Sequence, residues 1–176
     1  QLSLASGTNV QQRKFKIPMQ WGFDGDNPAR EIKFGNDIVA NNTQGLDCST
    51  AVKSGSVAYK RALNTLADPD FIDINMLATP GIIHAYHPAV SNKAMSIASN
   101  RGDTFYILDG SKYNESVANA ISNVASIDDN YVATYFPWVQ ISNPGGGPQL
   151  WVPPSVVMLG VFSQNDRIGQ EWFAPA

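Results

Sequence analysis

From Asp47 onward the apolar pattern changes period again and again, and this alternation restricts the possible folds more than any other feature. Ala51, Val52, Val57, Ala58, Ala62, Leu63 and Leu66 recur at spacings of about three and four, which predicts an amphipathic helix of roughly 15 to 18 residues. Asp47 or Ser49 is expected to cap its start, and Gly55 to weaken it. Asp68-Pro69 ends it, because the residue before a proline avoids helical dihedrals. Phe71 to Thr79 follows as a strand, apolar on both faces in its later part, as at the buried centre of a parallel sheet. Pro80-Gly81 is expected to close it. A second helix is predicted from Pro88 to Asn100, opened by a proline suited to a first turn and stopped by Arg101-Gly102. Thr104 to Leu108 is a second strand, turned by Asp109-Gly110.

The alternation continues. Asn114 to Ala125 reads as a shorter helix with Val117, Ala118, Ile121 and Val124 on one face. Tyr131 to Ser142 reads as a third strand, with Pro137 marking a bulge or an edge. Asn143 to Pro148 is a flexible loop, and Pro153-Pro154 opens a last helix reaching about Asp166. Helices and strands in strict turn predict an α/β fold over residues 47–176: a mainly parallel central sheet, right-handed crossovers and helices on both faces. Residues 1–46 lack this order. Residues 1–16 are polar and aperiodic, a surface strand or a frayed end. The rest is rich in Gly, Asn and Asp, with Trp21 and Phe23 as isolated anchors, so an irregular segment packed on the core is expected.

Composition narrows the function classes. The formal net charge is −3, and the densest cationic group, Arg13, Lys14 and Lys16, reads as a solvated segment, so no nucleic-acid partner is expected. Cys48 is the only cysteine, which excludes an internal disulfide and fits a reducing compartment. No apolar run approaches the roughly 20 residues of a membrane helix, and the first residues lack the zones of a signal peptide.

Candidate chemistry is sparse. Open parallel sheets place ligands beyond the strand C-termini, here Thr79-Pro80-Gly81, Asp109-Gly110 and the loop at Asn143. No phosphate-binding glycine motif is present, and Gly145-Gly146-Gly147 reads as a mobile loop. His84 and His87 are the only imidazoles, too few for a zinc site with the remote Cys48. Asp109 is positioned as a catalytic acid but is expected to be a turn-former. Asp24-Gly25-Asp26-Asn27 starts like a calcium loop, yet Ala29 and Gly35 stand where glycine and glutamate would be needed. Tyr135, Phe136 and Trp138 have no basic surround, so packing is expected in place of base stacking. No catalytic, cofactor or metal residue is assigned. The alternative is a hydrolase or small-molecule-binding domain using Asp109 with His84 or His87 in the crevice at the strand ends.

Four ordered stretches carry a resemblance. Ala62 to Leu77, with the junction Asp68-Pro69-Asp70-Phe71-Ile72-Asp73-Ile74-Asn75, resembles a segment of contractile-tail sheath proteins of bacteriophages and related injection machines. Arg101-Gly102-Asp103-Thr104-Phe105-Tyr106-Ile107-Leu108-Asp109 is similar to that family's next strand. Tyr135-Phe136-Pro137-Trp138-Val139 and then Val152-Pro153-Pro154-Ser155 match its strand, variable loop and helix start, and Gln170 to Ala176 resembles the ending that precedes a glycine. The resemblance covers about residues 47–176 and implies a subtilisin-like α/β core without the protease's chemistry.

Its further implications are mechanical. Such subunits stack as hexameric rings around a tail tube, between baseplate and tail terminator, in a virion assembled in the bacterial cytoplasm. They shift as rigid bodies from a metastable extended state to a contracted one, with no cofactor and no enzymatic step. The chain is then expected to be a fragment of a longer subunit that folds but stays monomeric.

Overall fold

The computed structural model describes residues 37–143, 147–170 and 172–174. The expectations for Arg13 to Lys16, Trp21, Phe23, Asp24 to Asn27, Gly145 and Gly146 lie outside these residues. The order is α1 (Ser54–Thr65), β1 (Met76–Ile83), α2 (Pro88–Arg101), β2 (Phe105–Asp109), α3 (Val117–Val124), β3 (Val132–Thr134), β4 (Val139–Ile141), β5 (Leu150–Val152) and α4 (Pro154–Ile168). Strands β1, β2 and β3 form a parallel sheet in that order, and β4 pairs antiparallel with β5. The expected α/β class with a parallel sheet is therefore present. Among the described residues no helix is long and apolar enough to cross a membrane.

The first helix starts later than its pattern suggests. Asp47 Oδ1 accepts the backbone N–H of Ser49 at 3.0 Å and its hydroxyl at 2.7 Å, closing a local turn, and Lys53 occupies the cap position instead. Gly55 is buried because residues 47–48 pass directly over it. A Cβ there would stand 2.5 Å from the Asp47 carbonyl and 2.9 Å from Cys48 Sγ. The glycine read as a weak point is thus a contact point.

Strand β1 begins at Met76, leaving Phe71 exposed, and Pro80-Gly81 does not close it. Ala78 pairs with Ile107 and Ile83 with Asp109, so four β1 residues, 79–82, stand against Leu108 alone. The excess forms a bulge at the sheet edge, where a proline without an N–H is tolerated. Gly81 takes φ 91°, and the segment 37–46 covers it. The Thr43 hydroxyl donates to the Gly81 carbonyl at 2.6 Å, and Gln44 Nε2 donates to that of Pro80 at 3.0 Å.

Helix α2 follows its pattern. It buries Val90, Ser91, Ala94, Ile97 and Ala98 and ends on Gly102 at φ 72°, whose N–H reaches the Ala98 carbonyl. Tyr106 and Leu108 of β2 join Val90, Ala94, Ile97 and Ala98 with Leu63 of α1 and Leu77 of β1 in one apolar cluster. Phe105, pointing the other way, meets Phe162 of α4 edge-on at 5.8 Å. Helix α4 packs on β1 and β2, so the sheet carries helices on both faces.

Tyr131 to Ser142 is not one strand. Val132–Thr134 pairs with β2, the cis Phe136-Pro137 bond follows, and Val139–Ile141 leaves to pair with β5. Helix α3 starts at Val117, with Ser116 as its cap accepting the Asn119 N–H at 3.3 Å, and Asn114 lies outside it at φ 54°. Its expected apolar face is only half used. Ala120 is buried and Val124 packs on the core, but Val117 and Ile121 are 60% and 63% exposed. The reason is the sheet's extent: β3 is a three-residue strand at its end, and no described strand lies beyond it.

Candidate functional site

The strand C-termini gather what chemistry the chain has. Asp109 ends β2 and is buried. Its Oδ1 accepts the Ser155 backbone N–H at 3.0 Å and its Oδ2 accepts the Ser155 hydroxyl at 2.6 Å. Ser155 lies in the first turn of α4, where unpaired N–H groups and the helix dipole favour a carboxylate. Burial nevertheless dominates and holds the Asp109 carboxyl up at about 6, while both Ser155 bonds pull it down. Asp109 is neither a turn-former nor an acid facing solvent. It fastens the central strand to α4.

Neither histidine joins it through its ring. The His84 backbone N–H donates to the Asp109 backbone carbonyl at 2.8 Å. The half-buried His84 ring lies with Nδ1 2.8 Å from the Ser91 hydroxyl, and burial pushes its pKa down. His87 is fully buried. Its Nδ1 accepts the Ile83 N–H at 3.1 Å, so Nε2 carries the proton and donates to the Val39 carbonyl at 3.1 Å. Burial lowers its pKa, with the backbone carbonyls of Val39 and Ala40 pulling the other way. A neutral ring with both nitrogens engaged offers no lone pair to a proton or a metal. Among the described residues no three His, Cys, Asp or Glu side chains gather closely enough to hold a metal ion. The dyad that the crevice reading needs is not brought together.

At the opposite end of the sheet, where β1 and β2 start, Arg101 gathers five hydrogen bonds. Its guanidinium is enclosed. Nη1 donates to the Leu66 carbonyl at 2.7 Å and Nη2 to that of Ile72 at 2.9 Å, while Nε and Nη2 form a fork on the Asp103 carboxylate at 2.9 Å. It joins the end of α1, the approach to β1 and the start of β2. The Arg101 bond is also what holds the Asp103 carboxyl below its ordinary range.

Among the described residues, three concavities stand out. A polar trough of about 540 Å³ runs beside α2, with His84, Ser99, Asp128 and Asp129 in its walls. An apolar hollow of about 130 Å³ lies between α3 and the end of β3, lined by Val117, Ile121, Val124, Tyr135 and Phe136. A third, of about 230 Å³, opens among Tyr113, Glu115, Phe136, Trp138 and Trp151. Tyr113 and Trp151 were not among the sequence candidates. The signal for Tyr113 is only a large aromatic beside Asn114, and for Trp151 only its place in the apolar run Leu150 to Val152. The region therefore presents apolar and aromatic surface on the α3 side and spent hydrogen-bonding groups at the sheet centre, an arrangement suited to contact. No protein-family model, curated protein or solved structure matches the chain.

Proposed function

We propose that the chain is the structural core of a contractile-tail sheath subunit, subtilisin-like in its layering, working by assembly and rigid-body movement. The observation that carries this reading is the order of four motifs along residues 62–176. It is supported by how the most specific pair is built. Tyr135 to Val139 and Val152 to Ser155 are brought side by side, with Val139 paired antiparallel to Val152. Ser155, which ends this pair, is bonded to Asp109, which ends the Arg101 to Asp109 stretch.

A body moved whole needs a well-tied interior. Asp109–Ser155 and Arg101 with its carbonyl partners tie strands to helices without relying on solvent-exposed pairs, which contribute only about 0–1 kcal/mol each. Contacts between subunits then fall to the exposed apolar surface of α3 and the β4–β5 hairpin. In this reading the partners are neighbouring sheath subunits, the tail tube, the baseplate and the terminator. The place is the tail of a virion, and nucleic acid and membrane are not direct ligands.

Electron microscopy and sedimentation of the full natural subunit, beside the 176-residue chain, test the proposal. Tubes or hexameric rings from the full subunit, absent from the shorter chain, are expected. A full subunit that stays monomeric at high concentration overturns the reading.

A further inference from the structure

The aromatic cavity beside α3 is built from three separate segments. Tyr113 and Glu115 come from the β2–α3 connection, Phe136 and Trp138 from the β3–β4 connection, and Trp151 from β5. Tyr113 stands at 65° to Trp138, centroids 5.6 Å apart, and at 56° to Trp151, 5.7 Å apart. The rings are walls of a hollow and do not make a flat platform. Trp138 is fixed, its indole N–H donating to the Ser111 carbonyl at 2.9 Å. Tyr113, Trp151 and Phe136 remain 54%, 49% and 42% exposed, although each carries a large apolar area.

Glu115 is fixed as well. Its Oε2 accepts the Lys112 backbone N–H at 2.7 Å and Asn123 Nδ2 at 2.9 Å, which sets the carboxylate in the wall. The other charge in the wall, Lys112, has its ammonium drawn 4.9 Å over the Tyr86 ring. Asn114, between Tyr113 and Glu115, takes the left-handed conformation that Asn tolerates better than most residues.

We infer that this cavity is a binding site for an organic cation, a quaternary ammonium or a guanidinium group. The faces of Tyr and Trp rings attract a cation electrostatically, and several rings around one hollow is the arrangement that recognises alkylated ammonium groups. A purely apolar occupant would take water from the Glu115 carboxylate and bring no countercharge beyond the two hydrogen bonds it already accepts, which is unfavourable. A cation satisfies both the rings and the carboxylate. The volume, about 230 Å³, suits a headgroup or a single side chain better than a larger ligand. This inference goes beyond the sheath reading and does not depend on it.

Tryptophan fluorescence tests it directly, since Trp138 and Trp151 line the cavity. The chain is titrated with choline chloride, with N-acetylarginine amide, and with neohexyl alcohol, the uncharged isostere of choline. A saturable change with choline or the arginine derivative is expected, with the alcohol about tenfold weaker. Tighter choline binding assigns the site to a small quaternary ammonium compound, and tighter binding of the arginine derivative assigns it to a guanidinium group; both support a cation site. Trp151→Ala should weaken the response about tenfold, and Glu115→Gln, which keeps the size of the side chain, several-fold. Circular dichroism reports whether each variant is folded, and Glu115→Gln carries the test if Trp151→Ala is not. Equal binding of the alcohol, no saturation with either cation, or an unchanged titration in folded variants overturns the inference.

Discussion

The β1–α2–β2 unit and the α3–β3–hairpin region use similar residues to opposite ends. In the first, Ile82, Ile83, Val90, Ala94 and Tyr106 are enclosed, and even the polar Thr79 and Tyr106 hydroxyls meet at 2.7 Å inside the sheet. In the second, Val117, Ile121, Tyr113, Phe136 and Trp151 face outward at comparable size and apolarity. Sequence hydrophobicity does not distinguish them. What differs is the extent of sheet beneath: β1 and β2 are covered by helices on both faces, whereas β3 is short and terminal. Stability is therefore concentrated in one region and surface available for contact in the other.

The largest expected effect comes from the enclosed unit. Ile82→Ala should destabilise the chain by about 2–5 kcal/mol in urea denaturation, through lost transfer energy and a residual cavity. A cost below about 1 kcal/mol would mean that the bulged end of β1 is less tightly packed than its burial indicates.

Arg101→Ala comes next. It strands the Leu66 and Ile72 carbonyls and removes the fork on Asp103, a loss of about 2–3 kcal/mol measured the same way. Arg101→Lys should recover only part of it, because one ammonium cannot span the same set of acceptors.

The burial of the Asp109 carboxyl between the sheet and α4 is probed by pH. With its folded value raised to about 6 from 3.8, Asp109 holds a proton that the unfolded chain has already released between those values. Its contribution to stability is therefore complete below the ordinary carboxylate value and is lost as pH rises through about 6. His87 runs the other way. Burial lowers its pKa, so its contribution is present above the ordinary histidine value and lost as pH falls. Asp109→Asn leaves His87 untouched and removes only the first trend. The stability of the wild type relative to the variant should then fall by about 2–3 kcal/mol between about pH 4 and pH 7. Parallel stability curves for the two proteins would show that folding does not raise the Asp109 pKa.

The smallest effect belongs to the exposed region. Ile121→Ala should change stability by no more than about 0.5 kcal/mol, since the side chain is already in solvent. A loss comparable to that of Ile82→Ala would remove the contrast between the two regions.

Much of the fold was legible because local rules decide it. Pro88 at a first turn, Gly102 past a last one, and the change from a three-to-four spacing to a short apolar run are short-range signals, and α2, β2 and the start of α4 follow them. The misplaced boundaries share another cause. Asp47 has a capping residue's chemistry but bends its own segment over Gly55, and Pro80-Gly81 has a turn's chemistry but is held as a bulge by Thr43 and Gln44. Pro137 has the chemistry of a bulge or an edge within one strand, whereas the two sides of it belong to different sheets.

The candidate site was less legible. Asp109 was singled out for its position at a strand end, yet its partner, Ser155, stands 46 residues away. The rings of Tyr113, Trp138 and Trp151 come from segments that only the hairpin β4–β5 and the β2–α3 connection bring together.

By itself the sequence determined the α/β alternation, most of the elements and their order, since backbone sterics and apolar periodicity act over a few residues. The tertiary structure alone decided that Asp109 anchors a helix, that Arg101 is enclosed, that His87 is a neutral tie and that the apolar face of α3 is left half uncovered. A buried polar group takes whichever partner packing presents to it, and an apolar face is buried only where the sheet extends far enough to receive it.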